Sequence, residues 1–289
     1  MDRWISVIVP CFDAAETLDA CIDGLLEQRV PGFNLEWIVV DNNSRDGTAA
    51  IARQHASVKL LHEPKQGAYA ARNAGLRVAK GQIVVFIDPD CVPGPDWLQR
   101  LTEPLHAGAV KICNGRSLLA GRSLVLRTFQ DYEHVKDGLI LGGRDPELFY
   151  GHTNNMAVRR EVFDRLGFFE DRRRGGDVVL VRKTVDHFGC EAVEYVPKAE
   201  VVHLEMSNLR TYLKKVFLYG WSNALYSQLI PATVVSPQRR WVLYRQVCRE
   251  CRYAMPRQLL LLVLMGVEGF AWRLGSRRGR SPSAGEPDQ

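Results

Sequence analysis

The stretch Gln66–Leu98, QGAYAARNAGLRVAKGQIVVFIDPDCVPGPDWL, decides the fold. Its first part, Ala68–Val78, reads as a helix that closes on Lys80 and Gly81, a cation favoured near a last turn and a glycine favoured just beyond it. The next five residues, Ile83–Ile87, form a continuous apolar run of strand length, the pattern of a strand covered on both faces. Working outward finds the same alternation. Ile5–Pro10 and Leu35–Val40 are two more buried-strand runs, Leu18, Ile22, Leu25 and Leu26 recur at helical spacing between them, and Val58–Leu61 repeats the strand theme. This β-α-β order predicts an α/β fold with a mostly parallel sheet flanked by helices.

In such sheets ligands bind at the carboxyl ends of the strands. The acids fall there: Asp13 lies just past the first run, Asp41 ends the second, and Asp88 and Asp90 follow the IVVFI run directly. A lone D-x-D is by itself more often a turn or a cap than a site. Three strands delivering carboxylates to one edge are less easily explained that way, and hard cations such as Mg²⁺ or Mn²⁺ bind carboxylate and phosphate oxygens.

Further along, Gly108–Gly151 loses its periodicity and reads as loop-dominated. Asn155–Val158 is expected as a strand, Arg160–Leu166 and Asp177–Phe188 as helices, and Ala192–Val196 and Val201–His203 as two short strands. After Leu209 the pattern is helical, broken at Pro231, Pro237 and Pro256. Leu259–Val267 carries no charge but is too short to span a bilayer, so a core helix and an interfacial helix are equally consistent with it.

The chain has 289 residues, 46% of them hydrophobic, which is enough for a full core, and a formal charge of +5. That charge is unevenly placed. From Met206 onward there are 13 Lys and Arg against 4 Asp and Glu, so this end carries +9 and the first 205 residues −4. A basic end of this kind seeks an anionic partner. Seven scattered cysteines resemble reduced thiols more than a disulfide framework, and Cys248-x-x-Cys251 lacks the second pair of a zinc site. No signal-peptide core precedes Ile5–Pro10, so a cytoplasmic location is expected, with peripheral contact at the inner face of the cell membrane.

Three blocks, SVIVPCFDAAETLDACIDGLLEQ (Ser6–Gln28), EWIVVDNNSRDGT (Glu36–Thr48) and the stretch Gln66–Leu98, resemble in order and spacing the family 2 glycosyltransferases, with a weaker match through Asn154–His203. The resemblance implies a GT-A fold, Rossmann-like, and inverting transfer of a sugar from a nucleoside-diphosphate sugar to an acceptor hydroxyl. It implies a donor-nucleotide site at Pro10, Phe12, Asp13, Asp41, Arg72 and Asp88, with Asp41 accepting from the base, Arg72 near base and phosphates, and Asp88 on the ribose. Asp90 of the D-x-D, and His203 as a further ligand, would bind a divalent cation, Mn²⁺ or Mg²⁺. Asp177 would be the catalytic base, with Glu170 and Asp171 next in line. Relatives usually carry Gly-Glu-Asp where this chain has Gly175-Gly176-Asp177, and often Tyr and Asn where it has Phe12 and Asp13. Arg172–Arg174 are expected on a loop over the diphosphate.

A UDP-sugar is the first expectation for the donor, and a saccharide or lipid-linked saccharide for the acceptor, in polysaccharide or other cell-surface glycan synthesis. Nucleic acid is not an expected partner. Gln238-Arg-Arg-Trp241 is one residue short of the Gln-x-x-Arg-Trp signature of processive synthases, which favours single addition. A non-catalytic saccharide- or nucleotide-binding relative and a nucleotidyltransferase are the alternatives, the latter opposed by the lack of a G-x-G-x-x-G loop near the first strand. The expected organisation is a glycosyltransferase domain over 1–205 (a nucleotide-binding half 1–107 and an acceptor-side half 108–205), a basic helical segment 206–274 and a disordered tail 275–289.

Overall fold

A computed structural model of the chain describes residues 3–171, 174–226 and 236–280. They fall into two compact units, Met1–Leu118 with Phe149–Leu204, and Leu119–Leu148 with Glu205–Gln289.

The first unit is built on one sheet. Strand β1 (Trp4–Cys11) pairs in parallel with β2 (Asn34–Asp41) on one side and with β4 (Ile83–Ile87) on the other, and β3 (Val58–His62) extends the sheet beyond β2. Helices α1 (Leu18–Leu26), α2 (Thr48–Gln54) and α3 (Ala68–Val78) make the crossovers. Past β4 the direction changes: β7 (Asn155–Arg159) runs antiparallel to β4, and β6 (Ile112–Leu119) antiparallel to β7. Then come β8 (Val193–His203) and the short β5 (Cys91–Pro93), giving the order β3-β2-β1-β4-β7-β6-β8-β5. Helices α4 (Trp97–Thr102), α6 (Arg160–Leu166) and α7 (Gly176–Phe188) complete the unit.

The apolar runs are continuous because both faces of the central strands are covered. Ile5, Val7 and Val9 of β1 share a core with Leu18, Ile22 and Leu25 of α1 and with Trp97 and Leu98 of α4, while Ile8, also fully buried, packs beneath α3 at Gly75. A polar clip lies inside this core. Asn155, buried, accepts from Trp97 Nε1 at 2.8 Å and donates to the carbonyls of Ala199 and Arg116 at 2.9 and 3.0 Å, so one amide joins α4, β7, β8 and β6 with both of its N–H donors used.

Two expectations need correction. The stretch 108–151 is not loop-dominated: it holds β6 and the 18-residue helix α5 (Leu124–Leu141). Its periodicity fades because β6 carries the polar run Asn114–Ser117, and α5 buries Thr128 and Asp137 beside its apolar residues and has Gly138 inside it. Likewise β8 is one strand of 11 residues rather than two, its middle disguised by the exposed Pro197 and Lys198.

The second unit gathers α5 with α8 (Leu209–Tyr226), α9 (Pro237–Glu250) and α10 (Met255–Gly279). Pro237 and Pro256 lie in the first turns of α9 and α10, where a missing N–H costs nothing, and Ser236 Oγ caps α9 by accepting from Arg239 N–H. Pro231 and Ser281–Gln289 lie outside the described residues. The helical segment expected over 206–274 runs on to Gly279, into the stretch expected as a tail. Gly275 and Gly279 look like breakers, yet they let α10 lie against the backbone of α8: a Cβ on Gly275 would fall 1.9 Å from Phe217 O, and one on Gly220 of α8 would fall 2.0 Å from Trp272 O. Small residues at helix contacts allow this approach. All seven cysteines are free thiols, and Cys248 and Cys251 pack beside the Leu243–Val247 face of α9.

Gly275→Ala is therefore expected to cost about 1–3 kcal/mol, lowering Tm by several degrees. Gly266→Ala in the same helix, where an added Cβ meets nothing within 4 Å, should be neutral or stabilising by up to about 1 kcal/mol. Thermal unfolding of both variants checks the pair.

Candidate active site

The strand order reverses at β1, with β2 added on one side and β4 on the other, and this opens a crevice at their carboxyl ends. Asp41, the last residue of β2, is buried; its Oδ1 accepts from Ser44 N–H at 3.3 Å and its Oδ2 lies 3.4 Å from His62 Nδ1. Asp88 follows β4 and accepts from Arg72 Nη2 at 2.5 Å. Arg72 is buried on α3, and its Nε has no hydrogen-bond partner among the described residues, so the guanidinium keeps donor capacity inside the crevice.

Asp90 and His203 meet through the sheet. Cys91 of β5 pairs with His203 at the end of β8, which sets Asp90 beside the imidazole, with Asp90 Oδ2 and His203 Nδ1 3.0 Å apart. The ligand atoms of Asp90, Cys91 and His203 all lie within 4.8 Å of one another, and all three residues are buried. A carboxylate and an imidazole suit a divalent cation of hard to borderline character, so this group fits the expected metal. The thiol of Cys91, 3.7 Å from Asp90 Oδ1, is the softer neighbour that the sequence did not single out.

The remaining expected residues are spread along the same edge. Pro10 is buried in β1 opposite Val40, and Phe12 is 42% exposed at the strand's end. Asp13 has φ 47° and is tied into a loop clamp: it accepts from Arg45 N–H at 2.7 Å, and its own N–H donates to Ser44 Oγ at 3.1 Å. Asp177 opens α7, and its Oδ1 accepts from Tyr69 Oη at 2.9 Å. Glu170 is paired with Lys183 and Asp171 with Lys65. Arg172 and Arg173 lie outside the described residues.

Two residues with structural roles at the edge escaped the sequence reading. Asn42 bonds the carbonyls of Glu63 and Lys65 and the N–H of Gly67, each at 2.7 Å, and so shapes the loop leading into α3. The doublet Asn42-Asn43 after a strand was the available signal. Asp46 accepts from Ala15 N–H on the β1 loop and from both the N–H and the hydroxyl of Thr48. Partial desolvation opposes ionisation of Asp46, but the bonds from Thr48 and Ala15 outweigh it and hold the carboxyl below its ordinary value.

The chain belongs to glycosyl transferase family 2, whose model matches residues 6–167. The glycosyltransferase AglE of Haloferax volcanii is 29% identical over 191 residues, covering 63% of this chain and 62% of AglE. The sheet is of the GT-A kind. A mannosyltransferase of Pyrobaculum calidifontis, solved with GDP-Man and Mn²⁺, superposes with a TM-score of 0.59 at 22% identity, covering 98% of this chain and 78% of that one. Glucosyl-3-phosphoglycerate synthase of Mycobacterium tuberculosis, solved with Mn²⁺, UDP and phosphoglyceric acid, gives 0.56 at 23% identity and 81% coverage of each chain. The chain spans less than two thirds of the length of the curated relatives it matches.

Asp46→Ala should lower stability at neutral pH by about 1 kcal/mol, the usual worth of such a helix-start acceptor. Because the folded-state value is depressed, the contribution is present above the ordinary aspartate value of about 4 and disappears as pH falls through the lower folded value. Denaturant titrations of both proteins from neutral to strongly acidic pH should show the gap closing only at the acid end.

Proposed function

We propose that this protein is an inverting glycosyltransferase that transfers one sugar from a nucleoside-diphosphate sugar to an acceptor hydroxyl. The observation that carries the reading is the convergence of Asp41, the Arg72–Asp88 pair and the Asp90–His203 pair at the carboxyl edge of a GT-A sheet. Asp41 accepts from the nucleobase, Asp88 from the ribose hydroxyls, and Arg72 supplies the cation beside the diphosphate. Asp90 and His203 would hold a divalent cation, Mn²⁺ or Mg²⁺, which would supply Lewis-acid neutralisation of the diphosphate charge. Asp177 takes the proton of the acceptor hydroxyl as the new C–O bond forms at the anomeric carbon, the bond to the diphosphate breaks on the opposite face, and the nucleoside diphosphate leaves. UDP-sugar is the first donor to try, with GDP-sugar second, as the two structural neighbours were solved with UDP and with GDP-Man.

The acceptor we favour is a lipid-linked saccharide at a membrane surface. Leu259, Leu262, Val263, Val267, Phe270 and Leu274 form an exposed apolar stripe along α10, while Leu261, Leu264 and Met265 face the helices of their own unit. A helix buried along one face and apolar along the other suits an interface more than a span, and Arg273, Arg277 and Arg278 follow the stripe with charge for anionic headgroups. By length and composition α10 also passes as a candidate span, the only such helix among the described residues.

Three measurements test this reading. Release of UDP or GDP from the sugar nucleotides should require added Mn²⁺ or Mg²⁺ and be lost in Asp90→Asn; cation-independent release would overturn the metal role. Asp177→Asn should keep UDP affinity and lose turnover by roughly a hundredfold or more, and normal turnover would move the base elsewhere. The full chain should sediment with anionic vesicles at low salt and less with neutral ones, and Leu259→Asp with Val263→Asp should weaken that binding. Failure of the full chain to pellet with anionic vesicles would remove the membrane from the account.

A further inference from the structure

Tyr69 is a neutral aromatic residue in the third block of the sequence, outside every role assigned so far, and it is buried at 5% exposure beneath the start of α7. Its ring packs against Phe169 with centroids 5.1 Å apart, and the Arg72 guanidinium carbon stands 5.3 Å from its centroid. Phe169 is fixed in turn: its N–H donates to Asn73 Oδ1 at 3.1 Å and its carbonyl accepts from Asn73 Nδ2 at 2.8 Å. The phenol is thus held from α3 on one side and from the segment before α7 on the other.

The phenol oxygen ends on Asp177. It donates to Asp177 Oδ1 at 2.9 Å and accepts from Asp177 N–H at 3.2 Å, while Val178 N–H donates to the same Oδ1 at 2.9 Å. Oδ1 therefore takes two donors, and among the described residues Oδ2 takes none. A carboxylate pinned through one oxygen presents the other in a fixed direction, which is what a base needs to meet an acceptor hydroxyl in line. Burial first, and the neighbouring Asp177 carboxylate second, push the phenol well above its ordinary value, so it remains a donor at neutral pH.

The glycine at 176 has the same explanation. A Cβ there would lie 2.9 to 3.0 Å from Cζ and both Cε atoms of Tyr69. The ring fills the space that any side chain at 176 would need, so the glycine and the buried phenol are one arrangement.

We propose that Tyr69 is the positioning residue for Asp177, holding Oδ1 so that Oδ2 faces the acceptor, in a pocket that Gly176 keeps open. This rests on Asp177 being the base. Tyr69→Phe removes only the hydroxyl, and kcat should fall roughly ten- to hundredfold, the cost of a misplaced catalytic group, with UDP affinity and donor KM unchanged. A purely packing role would move binding and turnover together. In the Asp177→Asn background, Tyr69→Phe should cost nothing further, because both changes act on one unit. Gly176→Ala, which presses on Cζ and so displaces the phenol without removing its hydroxyl, should also lower kcat at unchanged UDP affinity, and it decides the matter if Tyr69→Phe does not fold. Near-normal turnover in Tyr69→Phe, or in Gly176→Ala if that variant must serve alone, would overturn the proposal while Asp177→Asn remains inactive; so would additive losses in the double variant. If Asp177→Asn itself turns over normally, the base assignment fails first and takes the role of Tyr69 with it.

Discussion

The parallel pairing of β1 with β2 and β4 is the constraint on which the rest depends. Pro10 and Cys11 lie opposite Val40 and Asp41, and Ile8 opposite Phe86, so the three strands end nearly level and their next residues emerge side by side. Asp41 is consequently held by a strand end, and Asp88 and Asp90 by a three-residue turn anchored between the ends of β4 and β5, so their placement is set by the sheet. Bringing like charges together has a cost that a rigid frame can bear and a flexible loop would relax away. Within the crevice that cost is offset at Asp88 by Arg72, whose side chain is almost wholly buried.

The parallel half of the fold was readable because its physics is local. IVVFI is apolar at every position because both faces of β4 are covered, and Ala68–Val78 is helical by its own pattern up to Lys80 and Gly81, so strand and helix coincide with the observed β4 and α3. The antiparallel half was less legible, since Asn114–Ser117 in β6 and Pro197 and Lys198 in β8 are polar for reasons set by partners distant in sequence. Glycines misled in α10 because their use there is contact with another helix, which no window of sequence shows. At the candidate site, residues that end a strand or follow one directly, such as Asp41 and Asp88, stood out. Tyr69 did not, because an aromatic residue inside a helix looks like core until the carboxylate that it meets from 108 positions away is known.

Both units hold polar groups inside, neutral and ionic. In the sheet, Asn155 satisfies backbone and indole partners with a neutral amide. Among the helices a half-buried ionic group sits beside neutral ones: Lys136 of α5 lies 2.6 Å from Glu133, and burial, which lowers the ammonium's value, is outweighed by Glu133 and Glu268, so Lys136 keeps its charge. Burial pushes Glu268 of α10 upward against the pull of Lys136 and Arg240, and Arg240 Nη2 bonds Met265 O at 2.6 Å.

Glu268 gives α10 a rotational phase. The glycines that meet α8 set its azimuth by shape at the C-terminal end, but apolar surface alone would not, because turning the helix by half a revolution would trade one greasy surface for another. A single carboxylate near its middle removes that degeneracy, since only one azimuth brings Glu268 against Lys136 and Arg240, and every other leaves a charge without a counterion. The group behaves like a keel: hidden beneath, it decides which side of the hull rides uppermost, and thereby which leucines and valines the protein shows to its surroundings.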